Sequence, residues 1–92
     1  MTNAVITVKI MPQSPEVDLG KVEGEAKKVI ADFAGEGETK SEQEPVAFGL
    51  KALKIIFVMD ESKGSPDPVA EKITALEGVN SAEIVDVRRA IG

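Results

Sequence analysis

Two apolar stretches limit what this chain can fold into. Residues 4 to 11 are β-branched and nearly continuous in apolar character, and residues 50 to 59 are the most apolar part of the chain. Such stretches are typical of strands that have a neighbour on each side. Alternate residues of the second stretch lie on one face of the predicted strand: Leu53, Ile55, Phe57 and Met59. We therefore expect these two strands at the centre of a sheet.

A helix is predicted after the first of these strands. Its apolar residues recur at steps of three and four, as expected of one buried stripe: Leu19, Val22, Ala26, Val29, Ile30 and Phe33. Asp18 or Ser14 is expected to cap its start, and Gly35 is expected to end it.

The remaining elements are a second helix and two further strands. The helix is expected to have Asp67 as its N-cap and Pro68 at its first position, and to close at Gly78. Residues 37 to 44 are polar and fit a loop or a weak strand, of which we favour an edge strand. A last alternating stretch from Val79 to Val87 predicts a strand.

The resulting order is strand, helix, strand, strand, helix, strand. Right-handed crossovers then give the split βαβ, or ferredoxin-like, α+β sandwich, in which a four-stranded antiparallel sheet carries two helices on one face. In that fold the first and third strands are central, as the apolar stretches require. Because 92 residues supply apolar side chains for one core, we expect a single domain over residues 1–92.

The composition excludes several classes of site. The chain has no cysteine and no histidine, so the usual zinc ligands, thiol nucleophiles and the usual general base are all missing. Acidic pairs occur at Asp60 and Glu61 and at Glu42 and Glu44, but turns and a solvated strand edge are ordinary places for such charges. We therefore expect no metal site, no cofactor and no covalent catalysis, so the protein is not expected to be an enzyme.

Charge and hydropathy bear on partners and location. Sixteen acidic residues against 11 basic ones give a net charge of -5, which disfavours nucleic acid because its phosphates are repelled. The start of the chain lacks the basic region and long apolar core of a signal peptide, and no stretch approaches a membrane span. We expect a cytoplasmic protein that binds neither nucleic acid nor a membrane.

Two features suggest a function. Phe48 lies at the predicted tip between the second and third strands, where polar residues are the default. It either inserts into a partner or folds back over the end of the sheet, and its spacing leaves both open. The second feature is the pair of adjacent arginines, Arg88 and Arg89, near the end of the chain. They are either solvated or form a mobile cationic end that enters an anionic pocket.

The stretch from Glu44 to Val58 contains the run Pro-Val-Ala-Phe-Gly-Leu-Lys-Ala-Leu, and the chain ends in Val-Asp-Val-Arg-Arg-Ala-Ile-Gly. Both stretches resemble the elongation factor 1-beta family in its short archaeal form, and the opening strand is similar too. The resemblance implies a guanine nucleotide exchange factor that promotes GDP release and GTP loading on elongation factor 1-alpha during translation elongation. It implies the exchange module alone, without the leader and extra domain of the eukaryotic members.

The resemblance also implies roles for residues. Phe48 would insert into the GTPase, and the C-terminal end would approach the magnesium and phosphate site. The residues expected to bind the partner are Pro45, Phe48, Gly49, Lys51, Arg88, Arg89 and Ile91. Eukaryotic members have a lysine close to the C-terminus, whereas this chain has Ala90, Ile91 and Gly92 there. The alternative is an ACT-like module of the same topology that binds a small molecule or mediates assembly.

Overall fold

The order of elements is the predicted βαββαβ order. The computed structural model describes residues 3–35 and 37–90. Two short 3-10 turns, Ala47–Gly49 and Glu61–Lys63, precede and follow the third strand. The helices and strands are β1 Asn3–Pro12, α1 Leu19–Ala34, β2 Thr39–Pro45, β3 Lys51–Asp60, α2 Asp67–Thr74 and β4 Val79–Ala90.

The four strands form one antiparallel sheet in the order β2-β3-β1-β4. The two apolar strands are therefore central, as predicted, and the polar β2 is an edge strand. Ile6 of β1 lies opposite Phe57 of β3 and opposite Val87 of β4. This register places alternate residues of all strands on the same face of the sheet.

Both helices cover one face of this sheet and enclose the core. From the sheet, the core takes the alternate residues Ile6, Val8 and Ile10 of β1 and Leu53, Ile55, Phe57 and Met59 of β3. From the helices it takes Val22, Ala26 and Ile30 of α1 and Val69 and Ile73 of α2. The described part of the chain buries no polar or charged residue. The opposite face of the sheet is open, so the fold is the predicted ferredoxin-like α+β sandwich.

The caps of α1 agree with the prediction, and those of α2 differ from it. Asp18 Oδ1 accepts hydrogen bonds from the N–H groups of Gly20 and Lys21, and Gly35, with φ 85°, ends the helix. The prediction of Asp67 as the N-cap of α2 is wrong, because the helix already includes Asp67. The Asp67 N–H donates to Ser65 Oγ over 3.2 Å, so the Ser65 hydroxyl satisfies one of the free N–H groups at the start of the helix.

The expected end of α2 at Gly78 is also wrong. The helix ends at Thr74, and Gly78 lies in the turn that leads into β4 with φ 86°. A Cβ on Gly78 would lie 3.0 Å from Val17 Cγ1, so the glycine allows this turn to pack on the segment before α1.

The last strand is longer than the sequence pattern indicates. We predicted its end at Val87, but pairing with β1 continues through Arg88 opposite Val5, Arg89 opposite Ala4 and Ala90 opposite Asn3. Arg88 and Arg89 therefore lie in a paired strand, and both are exposed, as in the solvated alternative of the two that the sequence left open. A register shift between Ile84 and Asp86 marks a β-bulge at this sheet edge.

Candidate functional site at the two ends of the sheet

Phe48 lies at the tip of a tight turn between β2 and β3. The turn is closed by two backbone hydrogen bonds, from Val46 N–H to Leu50 O over 2.8 Å and from Leu50 N–H to Ala47 O over 3.3 Å. Gly49 follows with φ 75°. These bonds fix both ends of the turn, so the Phe48 side chain is carried outwards.

The phenylalanine is exposed and held in an unfavourable backbone conformation. Its relative exposure is 94%, and it does not fold back over the end of the sheet. With φ 63° and ψ 30° it is the only non-glycine residue with positive φ in the described part of the chain. A bulky residue in this left-handed region costs roughly 1–2 kcal/mol compared with the ordinary helical region. The turn therefore presents an aromatic side chain that does not pack against the rest of the protein, on a backbone held in an unfavourable conformation.

Three further residues predicted for the site lie beside Phe48. Pro45 and Lys51 are opposite each other where β2 and β3 pair for the last time, and both are exposed. Gly49 and Lys51 line a cavity of ≈ 340 Å³ together with Pro12 and Asp18, next to the start of α1. Pro45, Phe48, Gly49 and Lys51 thus form one cluster, which we call the Phe48 end.

Arg88 and Arg89 lie at the other end of the sheet and project from opposite faces. Arg89 pairs with the buried Ala4 on the helix side, whereas Arg88 pairs with Val5 on the open side. We call this part of the molecule the Arg89 end. Ile91, which was also expected in the site, lies outside the described residues.

Each arginine is held by a carboxylate, but in a different direction. Arg88 Nε donates to Asp86 Oδ2 over 2.9 Å, so its head is drawn back along its own strand. Arg89 Nε donates to Glu61 Oε1, also over 2.9 Å. Glu61 directly follows β3, so this contact keeps the Arg89 guanidinium at the end of the sheet. Both arginines remain well exposed, at 79% and 69% of their side chains.

The two clusters are separated by the length of the central strands. Ala4, beside Arg89, and Pro12, beside the Phe48 end, are eight residue steps apart along β1, which corresponds to roughly 26 Å at about 3.3 Å per step. The longest dimension of the molecule is 42 Å. A single small ligand therefore does not reach both clusters, whereas a macromolecule does.

The described residues also bear on metal and membrane binding. Within residues 3–35 and 37–90, no group of three or more acidic side chains is arranged to hold a metal ion. Neither helix of the described structure has the length and apolar character needed to cross a membrane.

Comparison with known proteins decides the family. Residues 5–90 match the family described as the EF-1 guanine nucleotide exchange domain. The chain belongs to the elongation factor 1-beta family. Elongation factor 1-beta of Pyrococcus abyssi is 46% identical over 88 residues, covering 95% of this chain and 94% of that protein. The proteins of the same name from Methanobrevibacter smithii and Methanothermobacter thermautotrophicus are 42% and 38% identical, and each alignment covers 97% of this chain and 98% of the relative.

Membership of the elongation factor 1-beta family agrees with the resemblance that the sequence carries. One residue of the candidate site was missed. Glu61 was interpreted as a solvated carboxylate, because its contact with Arg89 spans 28 positions and leaves no local spacing signal. The contact becomes visible only when the order of β3, β1 and β4 is known.

Proposed function

We propose that this protein is a guanine nucleotide exchange factor, acting as a single domain on elongation factor 1-alpha in the cytoplasm. It promotes release of GDP and loading of GTP, and it makes and breaks no covalent bond. The observation that carries the proposal is the exposed Phe48 with its left-handed backbone, in a chain whose residues 5–90 match an EF-1 guanine nucleotide exchange domain. Strained, exposed residues cluster at functional sites.

The Phe48 end supplies hydrophobic binding energy. Burying a phenylalanine side chain in a partner's pocket contributes about 1.5–3 kcal/mol, and aromatic residues are common anchors of interfaces. Because the turn is already closed by its own hydrogen bonds, little ordering is needed when Phe48 enters such a pocket. Lys51 beside it, exposed at the start of β3, adds a charge at the rim.

The Arg89 end acts at the nucleotide. A guanidinium offers five N–H donors in a planar fork that matches phosphate and carboxylate oxygens. Placed near the nucleotide site of the GTPase, Arg89 would compete for the oxygens that coordinate magnesium there, and its positive charge would disfavour a metal ion nearby. Arg89 is better suited to this role than Arg88, since the head of Arg88 is drawn back to Asp86.

The contacts of Phe48 and Arg89 can supply the transition-state stabilisation that faster GDP release requires. Accelerating GDP release a thousandfold needs about 4 kcal/mol of stabilisation of the open transition state. An aromatic anchor and one charge-assisted hydrogen bond together supply a gain of this order. Only contacts that are stronger in the open state than in the GDP-bound state accelerate release, so the two ends must engage as the nucleotide site opens.

The test is release of a fluorescent GDP from elongation factor 1-alpha of the same source. The protein is added in substoichiometric amounts, and the final nucleotide occupancy is measured separately. The proposal predicts faster release at unchanged equilibrium occupancy, with each molecule acting many times. Release at the spontaneous rate at every ratio of the two proteins would overturn it.

A further inference from the structure

The contact between Glu61 and Arg89 connects two strands that are not neighbours. Strand β1 lies between β3 and β4, so the hydrogen bond from Arg89 Nε to Glu61 Oε1 passes over the end of β1 at Ala4. Glu61 also lines a cleft of ≈ 280 Å³ with Ala4 and Val87 on the helix side of the sheet. The Glu61 side chain is 36% exposed and that of Arg89 is 69% exposed, so the pair is open to solvent and to a partner.

The turn that contains Glu61 does not depend on its side chain. Asp60 Oδ1 accepts the Ser62 N–H over 2.9 Å, and the Gly64 N–H donates to the backbone oxygen of Glu61 over 3.1 Å. An exposed ion pair contributes little to folding stability. The Glu61 carboxylate therefore contributes little to folding stability, and its contact with Arg89 needs another explanation.

The contact limits the freedom of a flexible side chain. An unrestrained arginine has many rotamers, and ordering it at an interface costs binding free energy. A hydrogen bond through Nε fixes the plane of the guanidinium close to its stem. This hydrogen bond uses one of the five N–H donors. The other four are on Nη1 and Nη2, which lie further along the side chain.

We propose that Glu61 is a positioning residue for Arg89 in nucleotide exchange. It holds the guanidinium at the end of the sheet, on the helix side, so that the remaining donors meet an anionic group of the GTPase and its nucleotide. This inference rests on the proposed function. Asp86 provides the internal contrast, because it holds Arg88 at the same distance but towards the middle of β4.

The contact itself is tested on the isolated protein. The Nε–H resonance of Arg89 is followed by NMR in the wild type, Glu61→Ala and Glu61→Gln. Slow hydrogen exchange of this proton in the wild type, and faster exchange in Glu61→Ala, is expected. Equal exchange rates in the two proteins would overturn the proposal without reference to the GTPase.

The role in exchange is tested by GDP release at several concentrations of the protein, giving kcat and KM for each variant. Glu61→Ala should lower kcat/KM about fivefold through lost orientation, while Glu61→Gln, which keeps the acceptor oxygen, should lose less than about twofold. Asp86→Ala is the matched control, because it removes the carboxylate from Arg88, and it should stay within about twofold of the wild type.

A double-mutant cycle separates positioning from a merely structural role. If Glu61 acts through Arg89, then Glu61→Ala lowers kcat/KM no further in an Arg89→Ala background. A further loss of kcat/KM in that background, unchanged kcat/KM in Glu61→Ala, or faster GDP release with Glu61→Ala than with the wild type would each overturn the inference. Failure of the proposed function is recognised separately, because the wild type then leaves the rate of GDP release unchanged.

Discussion

Phe48 and Arg89 lie at opposite ends of the same sheet. Phe48 stands at the turn before β3, near the end of β1 at Pro12, whereas Arg89 pairs with Ala4 near the start of β1. The two residues that we assign to exchange are thus held apart by two rigid central strands. In the proposed mechanism, a contact at one end fixes where the other end lies, and the sheet is the spacer between the apolar anchor and the cationic group.

The first prediction concerns Phe48→Ala. Because the side chain is 94% exposed, its removal should change the free energy of unfolding by less than about 0.5 kcal/mol. Binding to elongation factor 1-alpha should weaken by about 2 kcal/mol or more, as for an aromatic anchor. Urea unfolding and calorimetric titration measure the two quantities on the same variant.

The control for this prediction is Phe57→Ala. Phe57 is 1% exposed and lies in the core, so the same truncation should cost about 3–5 kcal/mol of stability. A loss of several kcal/mol of stability in Phe48→Ala would show that Phe48 is a core residue in solution, and would remove the anchor from the account.

A second prediction uses the backbone of Phe48. Glycine adopts φ 63° without steric cost, so Phe48→Gly should be more stable than Phe48→Ala by up to about 1 kcal/mol. Elsewhere in an ordered chain the same exchange of alanine for glycine lowers stability. Urea unfolding of the two variants gives the comparison, and a less stable glycine variant would mean that the left-handed conformation is absent in solution.

A third prediction separates the two arginines. They project from opposite faces of β4, so one partner group contacts only one of them. Arg89→Ala should lower kcat/KM for GDP release by at least about tenfold, the loss of one charge-assisted hydrogen bond, and Arg88→Ala by less than about twofold. The reverse order would assign the nucleotide contact to the open face of the sheet.

A fourth prediction concerns acid. The ammonium of Lys54, 2.8 Å from Glu44 Oε2, lowers the pKa of Glu44, and the backbone N–H and then the hydroxyl of Ser62 lower the pKa of Asp60. Because both carboxyl groups have a lower pKa in the folded state, each stabilises the fold above its unfolded pKa. That contribution is lost as pH falls through the folded pKa.

The free energy of unfolding should therefore decrease as the pH falls below about 5. Asp60→Asn and Glu44→Gln should each flatten this decrease, measured by urea unfolding at a series of pH values. Glu71→Gln, on the exposed side of α2, controls for the loss of one negative charge. A decrease as steep in Asp60→Asn and Glu44→Gln as in the wild type would contradict the assignment.

Much of the fold follows from the sequence, for physical reasons that particular elements show. Strands β1 and β3 each turn an unbroken row of apolar residues towards the helices, and the stripe of α1 has the period of a helix that packs on a sheet. The start and end of α2 were harder to predict, because Ser65, Asp67 and Pro68 all favour a helix start. The extension of β4 beyond Val87 to Ala90 depends on pairing with β1, which lies far away in sequence.

Some features of the candidate site can likewise be read from the sequence, and others cannot. Phe48 could be chosen as a candidate from the sequence, because an apolar residue at a hairpin tip is unusual. The separation of Phe48 from Arg89, the opposite faces of Arg88 and Arg89, and the contact of Glu61 depend on strand order and register. Those are properties of the assembled sheet, and no local pattern carries them.

The most direct test of the account is GDP release from elongation factor 1-alpha with four proteins: the wild type, Phe48→Ala, Arg89→Ala and the double variant. If both ends act on one transition state, the wild type accelerates release at substoichiometric amounts and unchanged final occupancy. Each single variant is then slower, and the two losses multiply in the double variant. No acceleration by the wild type, or single variants as fast as the wild type, would contradict the central claim.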